Sequence, residues 1–324
     1  MKMLNYTSAL VTAALLISGA ALAEDYPTKD VRMVVNAGAG GGTDGIVRKL
    51  SSIAEKDLGH TIYIENVEGG ASGKGTYQVM TARPDGYTIG NLTYDSVITV
   101  PYQKLLPGYE MSKLAWIGRV TLEPDAIVVA ADSEYKTLED LIAAAKENPG
   151  EIRVAVQNSG SRTHLDMLRL QDMADVEFNL IAYAGGAAPQ KEAILNGEVE
   201  VAVTSLGDFS NLIEEGDVRG LVEFSGTPNP TYSDVPLAKD QGYDIQAGSY
   251  IILAAPQGTP DDIVNKLADT FHKALDSEEF QKWVSKVGVT PGWLGPDEVG
   301  GFVEEQQNKL FTQMDDLKKQ GILK

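Results

Sequence analysis

The chain has 324 residues, no cysteine, three histidines and a formal charge of −19. The lack of cysteine removes disulfides, thiol nucleophiles and thiolate metal ligands, and His60, His164 and His272 are scattered with no partner at metal-ligand spacing. A surface this acidic repels nucleic acid and offers no long-range attraction to anions, so an anionic ligand would have to be held by local donors.

Lys2, an apolar stretch from Ala9 to Ala21 and the Ala21-Leu22-Ala23 ending have the form of a secretory signal peptide, residues 1–23, cleaved before Glu24. The apolar stretch is short for a membrane span. Roughly 300 residues would then remain, enough for two domains.

The strand-forming run Val31 to Val35 ends in Gly38, Gly40, Gly41, Gly42 and Gly45, and Ile46, Val47 and Leu50 then recur at helical spacing. Strand, glycine loop and helix start place unpaired N–H groups and the positive end of a helix dipole beside the loop, which suits a carboxylate or phosphate. Thr43 and Asp44 are good first-turn residues. Three readings compete. Gly40, Gly42 and Gly45 match G-x-G-x-x-G, and Glu65 stands where a ribose-binding acid belongs, as in a secreted Rossmann-like dinucleotide enzyme. The same loop could hold a small carboxylate in a solute-binding protein, or be a turn without a ligand.

The next strand is Thr61 to Glu65, followed by the Gly69 to Gly75 loop and a helix through Met80. A turn at Ala82 to Gly86 leads to the strand Tyr87 to Leu92, with Asn91, Thr93, Tyr94 and Ser96 at its far end, where open α/β sheets bind ligands. Ala126 to Ala131 is an extended run leaving this unit, and Thr137 to Asp140 opens a helix with a capping pattern. Strand, loop and helix then recur three times. Ile152 to Gln157 leads into Asn158 to His164, including Ser159, Gly160, Ser161, Arg162 and Thr163. Phe178 to Tyr183 leads into Ala184 to Ala188, including Gly185, Gly186 and Ala187. Val199 to Thr204 leads into Ser205 to Asp208. Arg162, the one permanent cation in these loops, stands at a helix start where the dipole disfavours it, so either a ligand carboxylate or a surface acid should accompany it.

Ser249 to Ala255 is a further apolar strand, and Thr259-Pro-Asp-Asp262 reads as a helix start with Thr259 as cap. Ile263, Leu267, Phe271 and Leu275 continue one helical face, Trp283 and Trp293 read as packing residues, and a last helix runs from about Pro296 to Lys319.

In this order the motifs resemble the solute-binding proteins of tripartite tricarboxylate transporters, the Bug or TctC-type receptors. The resemblance rests on Tyr26-Pro-x-Lys-x-Val-Arg32, Gly40-Gly-Gly-Thr-Asp44, Glu65-Asn66, Pro84-Asp-Gly-Tyr-Thr88, Ser159-Gly-Ser161 with His164-Leu165, Tyr183-x-Gly-Gly186, Gly197-x-Val-x-Val201, Asp234-Val-Pro236 and Ala255-Pro-x-Gly-Thr-Pro260. It implies an α/β, two-domain periplasmic-binding-protein (flytrap) fold with hinge-crossing strands: residues 24–122 and 250–324 as domain 1, residues 123–249 as domain 2. It further implies a periplasmic receptor that is not an enzyme, needs no cofactor or metal, acts as a monomer and delivers a small organic carboxylate to membrane subunits. A di- or tricarboxylate is favoured. The ligand contacts it implies are Ala37, Gly40, Gly41, Gly42, Thr43, Asp44, Thr93 and Tyr94 in domain 1. In domain 2 they are Ser159, Gly160, Ser161, Arg162, Thr163, Gly185, Gly186, Ala187, Ser205 and Asp208. Many relatives have Pro-Phe where this chain has Asn36-Ala37, so the pocket should be wider there or be filled by Tyr94 or Tyr102. Arg162 stands where relatives commonly have a small residue or proline.

Overall fold

The computed structural model describes residues 26–157, 160–183 and 187–321, so the expected signal peptide, Ser159, Gly185 and Gly186 lie outside the described residues. The first elements are β1 (Val31–Val35), α1 (Gly42–Leu58), β2 (Ile62–Asn66), α2 (Gly73–Met80) and β3 (Thr88–Leu92), followed by single turns α3 (Tyr94–Val97) and α4 (Thr99–Tyr102). Next come β4 (Leu114–Ala130), α5 (Leu138–Glu147), β5 (Arg153–Val156), α6 (Arg162–Ala174), β6 (Asn179–Ala182) and α7 (Ala187–Leu195). The chain continues through β7 (Val201–Ser205), α8 (Ser210–Glu215), β8 (Val218–Glu223), β9 (Gly248–Pro256), α9 (Asp261–Asp276), α10 (Glu278–Val287), β10 (Pro291–Leu294) and α11 (Pro296–Lys319).

The strands follow the order β2-β1-β3-β9-β4-β7-β5-β6, with β8 and β10 also paired to β4. Both flanks are parallel, β2-β1-β3 and β7-β5-β6, as alternating strands and helices dictate. The middle is antiparallel and turns on β4. Its first part, Leu114 to Pro124, pairs with β9, whereas Asp125 to Val129 pairs with β7. Pro124 sits at the change of partner, where a residue without an N–H costs the ladder least. The sequence showed only Ala126 to Ala131 of this strand as extended. Gly118, Arg119 and Glu123 interrupt the apolar run before it, and bulges on either side of Gly118 and Arg119 break the alternation.

Separate apolar cores lie on the two sides of this crossing. One joins β1, α1, β9 and α9 through Met33, Leu50, Leu253 and Phe271. Another joins β4, α5, β5, α6 and β7 through Ile127, Leu141, Val154, Met167 and Val203.

Local signals held unevenly. Thr137 accepts from the Asp140 N–H at 3.1 Å while Asp140 accepts from the Thr137 N–H at 2.9 Å, a full capping box. Thr259 does not cap α9: its hydroxyl donates to the Pro256 carbonyl at 2.8 Å and the helix starts at Asp261. A threonine hydroxyl close behind its own carbonyls has that local alternative to capping.

Candidate ligand-binding cleft

A cavity of about 590 Å³ lies where the two halves of the sheet meet. From one side it is lined by Gly42, Thr43, Gly45 and Ile46 at the start of α1, and from the other by Gln157, Arg162, Ala187, Lys191, Ser205 and Asp208. Its floor is Glu123 of β4 with Ser249 and Ile251 of β9, and Trp283, Val287 and Val289 wall one end.

The glycine loop leaves backbone donors open at the start of α1. Gly40 is left-handed at φ 81°, and α1 begins at Gly42. The first intrahelical bond is from the Gly45 N–H to the Gly41 carbonyl at 2.9 Å, so the N–H groups of Gly42, Thr43 and Asp44 precede any helical acceptor. Asp44 points away from the cleft. Its buried carboxylate accepts from the Gly40 N–H (2.9 Å), Asn66 Nδ2 (2.9 Å) and Arg48 Nη2 (2.8 Å). Despite burial, these bonds hold its carboxyl below the usual range. It shapes the loop and does not line the cavity.

Of the other expected contacts, Gly42, Thr43, Arg162, Ala187, Ser205 and Asp208 come together in the cleft. Ala37, Gly40, Gly41, Thr93, Tyr94, Gly160, Ser161 and Thr163 do not line it. Ala37 packs on the first core. Thr93 caps α3, with its N–H donating to Ser96 Oγ at 2.8 Å. Thr163 accepts from the Gln157 N–H (3.0 Å), Ser161 caps α6, and the Gly160 N–H donates to His164 Nδ1 (3.0 Å), so these residues shape the β5–α6 loop. Neither tyrosine fills the space left at Ala37. Tyr94 is buried against Tyr250, and Tyr102 lies on Phe311 with its hydroxyl donating to Asp315 at 2.9 Å. The aromatic wall is Trp283, which the sequence offered only as packing.

Arg162 is accompanied by a buried acid rather than a surface one. Its Nε donates to both oxygens of Asp125, at 2.8 and 3.0 Å, and its Nη1 donates to Gln157 Oε1 at 3.0 Å. Asp125 is fully buried and the Arg162 side chain is 11% exposed, so the pair is internal and only an edge of the guanidinium reaches the cleft. Asp166, one turn along α6, shares a hydrogen bond with Asp125. Burial pushes both carboxyls up, Asp166 well up, while the Arg162 guanidinium works against the rise at each.

Glu123 is the main residue that the sequence missed. Its Oε1 accepts from the Thr290 N–H at 3.1 Å. Burial, with the Asp208 carboxylate nearby, pushes its carboxyl up to about 8. Asp208 accepts from Thr204 Oγ1 at 2.6 Å, and Lys191 Nζ donates to Asn211 Oδ1 at 3.1 Å. The signal available for Glu123 was a carboxylate beside Pro124 at the edge of an extended run.

Residues 46–318 match the family described as the tripartite tricarboxylate transporter family receptor. The chain belongs to this family. The receptor is 30% identical over 303 residues, 94% of its own length and 91% of the other, to the Cupriavidus necator "UPF0065 protein in gbd 5'region". A TctC solute-binding protein from Polaromonas, solved without ligand, has 27% identity and a TM-score of 0.79, covering 90% of this chain and 100% of that one. An R. palustris protein solved with adipate has 25% identity and a TM-score of 0.77, covering 90% and 98%. The receptor thus has the two-domain periplasmic-binding-protein fold. The family match also decides the glycine loop in favour of a solute receptor over a dinucleotide enzyme. Among the described residues, no helix is long and apolar enough to cross a membrane.

Proposed function

We propose that this receptor captures a small organic carboxylate in the periplasm by closing two domains, residues 24–122 with 250–324 and residues 123–249, and delivers it to membrane subunits of the tripartite type without catalysing a reaction. The supporting observation is the cleft itself: the open N–H groups at the start of α1 face α6, α7 and the β7 loop across about 590 Å³. Backbone donors at a helix start accept one carboxylate without a formal cation. The adipate held by a similar protein fits the same ligand class.

The second carboxylate expected from the resemblance finds less support. Arg162, one of the expected contacts, already balances Asp125, and the Asp208 side chain faces the same space. A thermal-shift screen against about a hundred carboxylates tests the class, since a ligand that binds only the native state raises the melting temperature by mass action. Stabilisation by one or more acids is the expected result; stabilisation by NAD and by no acid would overturn it.

A further inference from the structure

The carboxyl group on the floor of the cleft has a fixed direction. Glu123 of β4 lies directly opposite Ser249 of β9, and both line the cavity. Its Oε1 accepts from the Thr290 N–H at 3.1 Å, whereas no donor is found at Oε2 among the described residues. Oε2 lies beside Gly207, another lining residue, where a β-carbon would come to 3.7 Å from it. No cation pairs with this carboxyl among the described residues. Of the lining bases, Arg162 is tied to Asp125 and Gln157, and Lys191 Nζ donates to Asn211. The groups facing Glu123 are Asp208 from the loop after β7, Glu223 from β8 and the Tyr232 phenol, against the Arg162 guanidinium of α6. Glu223 is buried, and its Oε1 accepts from Asn229 Nδ2 at 3.0 Å. A carboxyl so placed keeps a proton rather than add a charge beside Asp208 and Glu223. Because the Thr290 N–H occupies Oε1, that proton sits on Oε2, the oxygen open to the cleft.

We infer that Glu123 acts as a neutral donor, its Oε2 hydroxyl donating to a carboxylate oxygen of the bound acid, so that capture of the ligand is linked to a proton on the cleft floor. This rests on the carboxylate reading of the cleft and names the side chain that joins the α1 N–H groups in holding the acid. A hydroxyl donated to a carboxylate is a charge-assisted hydrogen bond, whereas ionised Glu123 would meet the ligand with like charge. One proton therefore decides whether the floor attracts or repels, as where a buried acid kept neutral stabilises an oxyanion. The linkage is reciprocal: the bound anion tightens the hold on the proton, and the proton tightens the hold on the anion. In the free receptor this carboxyl is raised to about 8, so binding above that pH takes a proton from solvent onto Oε2, and release returns it.

The probe is adipate or, should adipate not raise the melting temperature, the most stabilising acid of the carboxylate panel with no group titrating between about pH 6 and pH 9. Calorimetry should show wild-type affinity about tenfold weaker at about pH 9 than at about pH 6.5. Titration at about pH 9 in buffers of different ionisation enthalpy should show uptake of close to one proton per ligand. In Glu123→Gln the amide can donate but cannot titrate, so its affinities at the two pH values should differ by a factor near one. Glu123→Met keeps the bulk without a donor and should bind about tenfold more weakly than Glu123→Gln at about pH 6.5. Asp208→Asn removes a charge that opposes ionisation of Glu123 and should bring the fall in affinity to lower pH, which keeps the test available if Glu123→Gln folds poorly. A pH-independent wild-type affinity, an equal fall in Glu123→Gln, equal affinities of the Gln and Met variants, or an unmoved fall in Asp208→Asn would each overturn the inference and leave the carboxylate reading standing. Failure of every acid to stabilise the receptor would overturn both.

Discussion

Arg162 at the start of α6 and Asp125 at the partner change of β4 form a buried ion pair, 2.8 Å at its shortest, behind the wall of the cleft. A cation at a helix start is electrostatically misplaced, and a fully buried carboxylate is costly alone; each offsets the other's cost. Asp125→Ala should therefore destabilise the receptor by roughly 3–5 kcal/mol in urea unfolding, because it leaves the guanidinium buried and unbalanced. The double variant Asp125→Ala/Arg162→Met should recover a large part of that loss. A loss near zero in the single variant would show that the pair is solvated.

Asp44 acts through the loop. Asp44→Ala removes the acceptor of Gly40 N–H, Asn66 Nδ2 and Arg48 Nη2, with an expected cost of about 1–3 kcal/mol. Ligand affinity by calorimetry should fall as well, although Asp44 does not line the cavity, because Gly42 and Thr43 lose their support. Unchanged affinity with reduced stability would separate loop geometry from binding.

Glu123 makes stability depend on pH. Its carboxyl is raised from the ordinary 4.5 to about 8, with Asp208, Glu223 and Arg162 as the charged groups around it. Between those values the folded state holds the proton that the unfolded chain releases. Its stabilising contribution is thus full below about 4.5 and declines as pH rises toward 8. Asp125 and Asp166 are raised too, so the comparison that isolates Glu123 is wild type against Glu123→Gln. The variant should melt higher than wild type at pH 8 and show little advantage at pH 5. A constant difference across that range would count against a buried, proton-holding Glu123.

Gly207 and Gly288 touch backbone to backbone across the two sides of β4. A β-carbon at Gly207 would sit 2.3 Å from the Gly288 carbonyl oxygen, so Gly207→Ala should cost about 1–3 kcal/mol in urea unfolding. Gly42 is the control, since a β-carbon there meets nothing within 4 Å; Gly42→Ala should be neutral or slightly stabilising. Equal stability of the two alanine variants would refute the close contact.

Domain closure has a scattering signature. If both walls of the cleft gain contacts only when they meet the ligand, the ligand shifts the population to the closed form. Small-angle scattering with saturating ligand should then give a smaller radius of gyration, and an unchanged radius counts against closure.

The amino-acid sequence alone determined the alternating α/β pattern, the glycine loop before α1 and the donor-rich loops before α6 and α7, because strand periodicity, helix starts and glycine punctuation are local properties of neighbouring residues. The ordered motifs determined the family in the same way. Tertiary structure decided everything that depends on residues far apart in sequence. Arg162 meets Asp125, 37 residues earlier, rather than a surface acid. Asp44 turns toward Asn66, Tyr94 toward Tyr250, and Glu123 emerges on the cleft floor from a strand whose first half was hidden by bulges. A charge or an aromatic ring announces its chemistry in sequence, but its partner is chosen by which strands pair and which helix ends converge. The physical reason is that burial and counter-charge, which set what such a group can bind, are created only by packing.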